Sequence, residues 1–218
     1  MSGFDAASNL AAKAMRRLQS AHKPFVRMMR RGERAREHQS FRDGIVDVER
    51  ALAALAASGQ PIIAGPWLAE VGYEVLYWIP FLRWWADAHG VPRERLVIVS
   101  RGGMEAMYDD FAASYVDIFD LMPAAELAAL NTRRQAEHEG GGRKQSASSA
   151  IDDDLVAKVR ARLGLASAAV LHPSQLFRLF REVWHGNLPV DVFSTHTRYT
   201  LRTIPPSPNE ASRDPSSP

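Results

Sequence analysis

The chain has 218 residues, of which 46% are hydrophobic and 24% are charged, a composition typical of a globular protein of one domain or slightly more. Lys and Arg total 27 against 25 Asp and Glu, so the formal net charge of +2 gives no indication of nucleic-acid binding. Cysteine is absent, which excludes disulfides, thiolate zinc sites, iron–sulfur clusters and a cysteine nucleophile.

The beginning of the chain carries no recognisable targeting signal. It lacks the basic and apolar regions of a secretory signal peptide, so we expect a cytoplasmic protein. The uncharged run at residues 51–69 is interrupted at residues 59–61 and 65–66 by Gly and Pro. These breaks predict the end of a helix followed by a short strand, and not a transmembrane helix.

Residues 1–58 are predicted to form a basic helical arm. Residues 13–42 contain ten Lys or Arg and only two acidic residues. This segment is interpreted first as a solvated helical arm on its own domain, and second as a peripheral contact with anionic lipid at the inner face of the membrane. Residues 46–57 are predicted to form a helix that ends at Gly59.

Residues 59–202 are predicted to form an α/β domain. Short apolar runs at 61–64, 95–99 and 168–171 lack polar alternation, which is typical of strands covered on both faces. A fourth short strand is predicted at 116–119. Helical spacing of apolar residues predicts a helix kinked near Pro80, further helices over 104–113, 123–135 and 152–163, and one that includes Leu176. This alternation favours a doubly wound parallel sheet.

Two segments have no core-forming pattern. Residues 139–150 are rich in Gly and Ser and are predicted to be a mobile loop at the rim of the sheet. Residues 203–218 are rich in Pro and Ser and are predicted to be a disordered tail.

The loops that follow the predicted strands contain the candidate site. In an open parallel sheet, ligands bind outside the carboxyl ends of the strands, where loops and helix N-termini converge. Glu70 or Glu74 would take a proton from an attacking hydroxyl, and Arg101 would hold a phosphate or carboxylate. The predicted substrate-binding residues are Gly72, Tyr73, Ser100, Arg101, Gly102, Gly103, His172 and Ser174.

Each candidate also has a purely structural explanation. The two glycines after Arg101 fit a strand-to-helix turn, and Ser174 fits a helix N-cap. His172 fits an edge histidine with satisfied hydrogen bonds, and the two glutamates fit the start of a helix. Most aromatic residues of this region fit the core, with Tyr73 as the best exception.

Two other clusters are excluded from the site. Asp152, Asp153 and Asp154 open a predicted helix, so they are interpreted as charges that complement its dipole and not as metal ligands. Residues 140–144 lack the spacing of a phosphate loop and follow no strand. No metal site and no cofactor are predicted.

Four segments carry a family resemblance: GPWLAEVGYEVLYWIPFLRWW, IVSRGG, YVDIFDL and VLHPSQLFRLF. Residues 60–184 resemble the amino-terminal half of a poorly characterised group of bacterial glycosyltransferase-like proteins with the GT-B architecture. The resemblance implies a Rossmann-like domain that meets the acceptor, whereas a second domain binds most of the nucleotide sugar without a metal ion. It places in the cleft Glu70, Gly72, Glu74, Arg101, Gly102, Gly103, His172 and Ser174.

The chain departs from this pattern after Arg202, where a Pro/Ser tail stands in place of a second α/β domain. We therefore expect a partner chain to supply the donor half, or the chain to be a truncated or frameshifted product. The leading expectation is an acceptor-side domain for surface polysaccharide or glycolipid assembly, inactive alone, that meets a nucleotide sugar and a glycan acceptor.

The alternative is a non-catalytic Rossmann-like module that binds a partner chain, or a membrane surface through its basic arm. A stand-alone enzyme acting on a small phosphorylated molecule is a third and weaker interpretation. No GxGxxG motif follows any predicted strand, so a dinucleotide ligand is not expected.

Overall fold

A computed structural model describes residues 36–137 and 145–201. Its centre is a parallel sheet of four strands in the order β3-β2-β1-β4. The strands are β1 (Ile62–Ala64), β2 (Leu96–Ser100), β3 (Ser114–Asp117) and β4 (Ala169–Leu171). The chain therefore has the predicted α/β architecture, consistent with a Rossmann-like fold.

The helices are α1 (36–57), α2 (Val71–Tyr73), α3 (Ile79–Ala88), α4 (Ala124–Glu137), α5 (Ala150–Arg162), α6 (Ser174–Trp184) and α7 (Asp191–Thr195). A π-helical turn, Glu74–Trp78, joins α2 to α3. Pro80 lies in the first turn of α3, close to the predicted kink. Arg93–Arg95, Met104–Met107 and Ile118–Asp120 form single 3₁₀ turns.

The three predicted strand runs lie side by side as expected. Ile63 of β1 aligns with Val97 of β2 on one side and with Val170 of β4 on the other. All three residues of β1 are fully buried, in accordance with the absence of polar alternation. The additional strand predicted at 116–119 is β3. It ends at Asp117 and not at Phe119, because the Asp117 side chain accepts a hydrogen bond from the Phe119 N–H and starts a turn.

The sheet is covered on both faces. Ile63 and Val97 belong to one apolar cluster together with Leu127 of α4 and Leu155 of α5. Residues of a strand alternate between faces, so the buried Ile62 and Ile98 point to the opposite face. Further large buried side chains come from α1, the α2–α3 segment and α6, among them Leu52, Trp78, Phe81, Trp85 and Phe180.

The prediction of a helix over residues 104–113 is wrong. Only one 3₁₀ turn forms there, Met104–Met107, after Gly103 in the left-handed conformation. Arg83 donates to the carbonyl oxygen of Met107, and Arg93 donates to those of Asp109 and Ala112. These side chains take acceptors that a continuous helix would have used, so they stabilise an irregular segment.

The loop predicted at 139–150 is corrected at its described end. Gln145 is fully buried, and α5 begins at Ala150 in place of the predicted residue 152. A buried amide side chain requires hydrogen-bond partners, and these fix residue 145 in place. The preceding residues of this loop lie outside the described residues.

A compact unit begins at Val46, inside the predicted arm of residues 1–58, because Val48 and Leu52 on α1 are buried. Most of the arm and the predicted tail, residues 203–218, lie outside the described residues. Within the described residues, no helix has the length and apolar composition needed to cross a membrane.

Residues 198–200 form a short strap on α3 and the π-helical turn. The Arg198 N–H donates to the carbonyl oxygen of Pro80 at 2.9 Å. The Tyr199 hydroxyl donates to the carbonyl oxygen of Leu76 at 2.8 Å. Arg83 donates to the Thr200 hydroxyl at 2.6 Å, so the strap is fixed at three successive residues.

Candidate functional site

The loop at residues 65–70 lies across the carboxyl edge of the sheet. The Gly65 N–H donates to the carbonyl oxygen of Leu171 at 3.0 Å, and the Trp67 N–H donates to that of Val99 at 2.9 Å. Gly65 has φ +130°, and a Cβ atom there would lie 2.4 Å from the carbonyl oxygen of Val99. Glycine is therefore required for the loop to extend the hydrogen bonding of β2 and β4.

Two side chains from distant parts of the sequence hold this loop. Gln145 Oε1 accepts from the N–H groups of Leu68 and Ala69 at 2.7 and 3.1 Å, and its Nε2 donates to the carbonyl oxygen of Pro66 at 2.8 Å. Arg101 donates to the carbonyl oxygens of Leu68 and Ala69 at 3.0 and 2.6 Å. Two of the five N–H groups of Arg101, the residue predicted to hold an anion, thus bind the protein's own backbone.

Glu74 lies beneath this edge and is fully buried. Its Oε1 accepts hydrogen bonds of 2.5 Å from the hydroxyls of both Ser100 and Tyr108. Its Oε2 has no hydrogen-bond partner among the described residues. Burial raises the pKa of Glu74 above its ordinary value of 4.5, although both hydroxyls and the charge of Arg101 act in the opposite direction.

A second buried carboxylate, Asp152, links α5 to β4. Its Oδ2 accepts from the N–H and hydroxyl of Ser149 at 2.8 and 2.6 Å, and its Oδ1 accepts from Gln145 at 2.9 Å. His172 Nε2 lies 3.5 Å from Oδ1, while His172 Nδ1 accepts from the Ser174 N–H at 3.1 Å. Both ring nitrogens of His172 thus face groups of the protein itself.

The environment of Asp152 keeps it ionised. Burial alone would raise the pKa of Asp152, but its contacts with His172 and Ser149 outweigh that effect and hold the pKa below the ordinary 3.8. Asp152 and Ser149 form a capping box at the start of α5, which agrees with its predicted place at a helix N-terminus. Ser174 is the first residue of α6, one position after the N-cap residue Pro173.

Few of the predicted site residues are exposed to solvent at this edge. Glu70, Gly72, Gly102 and Gly103 are exposed, whereas Arg101 is half-buried. Gly102 and Gly103 have φ values of +73° and +71°, a conformation that side chains disfavour. The Gly103 N–H donates to Asp117 at 3.0 Å, so part of this turn is held by the neighbouring strand β3.

The aromatic residues form the wall behind the loop. Trp67 is fully buried and stacks on Trp78, with ring centroids 5.5 Å apart. Tyr73 is half-buried against Tyr77 at 5.3 Å and Trp184 at 5.7 Å. The larger rings therefore belong to the core, and Tyr73 lies at its border with solvent.

The structure brings the predicted residues to one edge but divides them into two groups. Glu74, Ser100, Arg101, His172 and the Ser174 N–H hold the protein together, while Glu70 and the glycines are at the surface. Sequence reasoning missed Gln145 and Tyr108 and excluded Asp152. The spacing of Ser149 and Asp152 indicates a capping box, but no local pattern indicates that Gln145 reaches residues 66–69.

Among the described residues, no group of three or more His, Asp or Glu is placed to hold a metal ion. Comparisons of the chain with protein-family models, with curated proteins and with solved structures give no match. The fold and the edge define an α/β domain with a parallel, Rossmann-like sheet.

Proposed function

We propose that the chain is the acceptor-side domain of a GT-B-type glycosyltransferase for surface polysaccharide or glycolipid assembly. One contact supports this proposal more than any other. The 2.6 Å hydrogen bond from Arg101 to the carbonyl oxygen of Ala69 joins the loop before Glu70 to the turn at Gly102 and Gly103. A carboxylate and a glycine-rich backbone segment therefore lie at the same edge.

Glu70 is the proposed base. It is exposed, so it can meet the hydroxyl of a glycan acceptor, whereas Glu74 is fully buried. Glu74 is assigned a positioning role, because it binds Ser100 at the end of β2 and so supports the turn that follows. The remaining N–H groups of Arg101 and the backbone at Gly102 would face the leaving diphosphate of a nucleotide sugar.

An acceptor-side domain tested without its donor side should bind nucleotide sugars weakly and should not transfer sugar. The rate of sugar transfer depends on holding donor and acceptor together, and the acceptor side alone lacks most of the nucleotide contacts. We expect nucleotide sugars to bind in the millimolar range, which corresponds to about −4 kcal/mol.

Calorimetric titration with uridine, guanosine and thymidine diphosphate sugars, alongside a turnover assay, tests the proposal. Arg101→Lys should weaken binding, while Arg162→Lys on α5, whose partner is Asp120, should leave it unchanged. Glu70→Gln should not alter donor binding, because the base meets the acceptor. No detectable binding of any nucleotide sugar, micromolar binding, or transfer by the chain alone would each contradict the proposal.

A non-catalytic binding module is the second candidate, and the exposed surface beside the edge favours it. Val71, Val75 and Leu76 on α2 and the π-helical turn are 48%, 37% and 55% exposed. Apolar side chains clustered on one exposed helix often mark a protein interface. Binding of a partner chain that Leu76→Ser abolishes, in the absence of any sugar binding, would support this function over the first.

We also propose that the basic segment at residues 13–42 holds the protein at the inner face of the membrane as a peripheral protein. Its ten basic residues would be attracted to anionic headgroups. This attraction belongs to either candidate function, because it depends on the arm and not on the sheet edge.

A further inference from the structure

A cavity of about 400 Å³ lies away from the carboxyl edge, beside the last turns of α3. Its walls come from α3, the turn that precedes β2, the segment that precedes β3, and the strap at residues 198–200. The cavity therefore lies toward the amino ends of β2 and β3. Its size is within the range of sites that bind small organic molecules.

The lining of this cavity carries an excess of positive charge. Three arginines, Arg83, Arg93 and Arg198, face two aspartates, Asp87 and Asp110, which leaves a net charge of +1. Arg83 forms an ion pair with Asp110 at 2.9 Å, and Arg198 forms one with Asp87. Arg93 donates only to backbone carbonyl oxygens among its contacts in the described part of the chain.

Arg83 forms the rigid floor of the cavity. Its side chain is 7% exposed, and it binds Asp110, the Met107 carbonyl oxygen and the Thr200 hydroxyl at once. The guanidinium also lies 5.2 Å from the centre of the Phe111 ring. Because Arg83 is held by so many partners, the cavity is preorganised and its positive charge is fixed in position.

We propose that this cavity binds a small organic molecule through an oxyanion, either a phosphate or a carboxylate, held by Arg93 and Arg198. Both arginines are exposed at the rim, and the guanidinium fork matches the geometry of such an anion. Ala86, Val91 and Phe111 supply apolar surface for the organic part. Asp87 opposes the anion and limits its affinity.

Titration of the full chain with glycerol 3-phosphate and, separately, with malate tests this proposal and distinguishes the two anions. We expect saturable binding of at least one probe. The double variant Arg93→Gln, Arg198→Gln should weaken it about tenfold or more, since the charge-assisted hydrogen bonds of both guanidinium groups are lost. Arg162→Gln, an exposed arginine on the helix layer of the opposite face, is the matched control and should bind like the wild type.

Asp87→Asn separates a binding role from a structural one. Removing this exposed carboxylate frees Arg198 and should tighten binding about threefold, whereas a purely structural ion pair predicts no gain. Circular dichroism of all variants checks that they remain folded. The proposal is overturned if neither probe saturates by about 10 mM, or if the double variant binds as tightly as the wild type.

Discussion

Substitution of Gly65 by alanine should strongly destabilise the fold. The backbone conformation at this position disfavours a side chain, and the surrounding atoms leave no space for one. Its φ of +130° lies where side chains are disfavoured, and the new Cβ atom would meet the Val99 carbonyl oxygen at 2.4 Å. That oxygen already accepts the Trp67 N–H at 2.9 Å, so the clash falls on a hydrogen-bonded contact.

The expected loss can be divided into two parts. Backbone strain at a positive φ costs about 1–2 kcal/mol, and overpacking in a tight region costs about 1–3 kcal/mol. The free energy of unfolding should therefore fall by about 2–5 kcal/mol in Gly65→Ala.

Gly72→Ala is the matched control, since the same atom is added only seven residues away. No atom lies within 4 Å of a Cβ at Gly72, which is in α2. Alanine is a better helix former than glycine, so this variant should be more stable by about 0.5–1 kcal/mol. Urea unfolding followed by far-UV circular dichroism measures both. Equal stability of Gly65→Ala and wild type would refute the described path of the loop.

Three further perturbations have defined signs. Because the pKa of Glu74 is raised, its contribution to stability is present below pH 4.5 and is lost as the pH rises through the folded-state pKa. In urea unfolding, Glu74→Gln should therefore gain stability relative to wild type as the pH rises above 4.5. The lowered pKa of Asp152 has the opposite effect, because its contribution to stability is present above pH 3.8 and is lost on acidification. Asp152→Asn should therefore be less stable than wild type by about 1–3 kcal/mol at pH 7, and the difference in stability should narrow below pH 3.8. A difference that stays constant with pH would argue against the ionised form of Asp152. The full chain should sediment with anionic vesicles and not with neutral ones, and high salt should release it, because each basic residue near the surface contributes about 1 kcal/mol that salt screens; equal, negligible sedimentation with both vesicles would contradict a membrane role for residues 13–42.

The sheet could be predicted because its signals are local. Three short apolar runs without polar alternation predict strands covered on both faces, and each one contains a strand of the sheet. The parallel arrangement then places the residues after Ala64, Ser100 and Leu171 at one edge. The position of the candidate site therefore followed from sequence pattern and the geometry of parallel sheets.

The division of that site into buried and exposed members could not be predicted in the same way. Glu70 and Glu74 look equivalent in the sequence, yet one is exposed and the other fully buried. A π-helical turn begins at Glu74, and no simple periodicity indicates where such a turn occurs. The burial of Glu74 thus depends on tertiary contacts with Ser100 and Tyr108.

The same limit explains the errors in the irregular segments. Residues 104–113 have an acceptable helical composition, but the guanidinium groups of Arg83 and Arg93 take the carbonyl oxygens of that segment. Gln145 lies in a Gly- and Ser-rich region, and its amide group satisfies a loop 77 residues away. Long-range hydrogen bonds of single side chains leave no periodic signal in the sequence.

The strand order has a consequence for the synthesis of the protein. The central strand β1 is also the first strand in the chain, and its partner on one side, β4, aligns Ala169 with Ile62, 107 residues later. Closing a loop of that length costs about 4 kcal/mol in chain entropy. At about 5–20 residues per second, the ribosome needs several seconds or more to deliver β4. During that time one edge of an entirely apolar strand has no partner, so substitutions in β4 should reduce the yield of folded protein in the cell by more than their effect on the finished fold suggests.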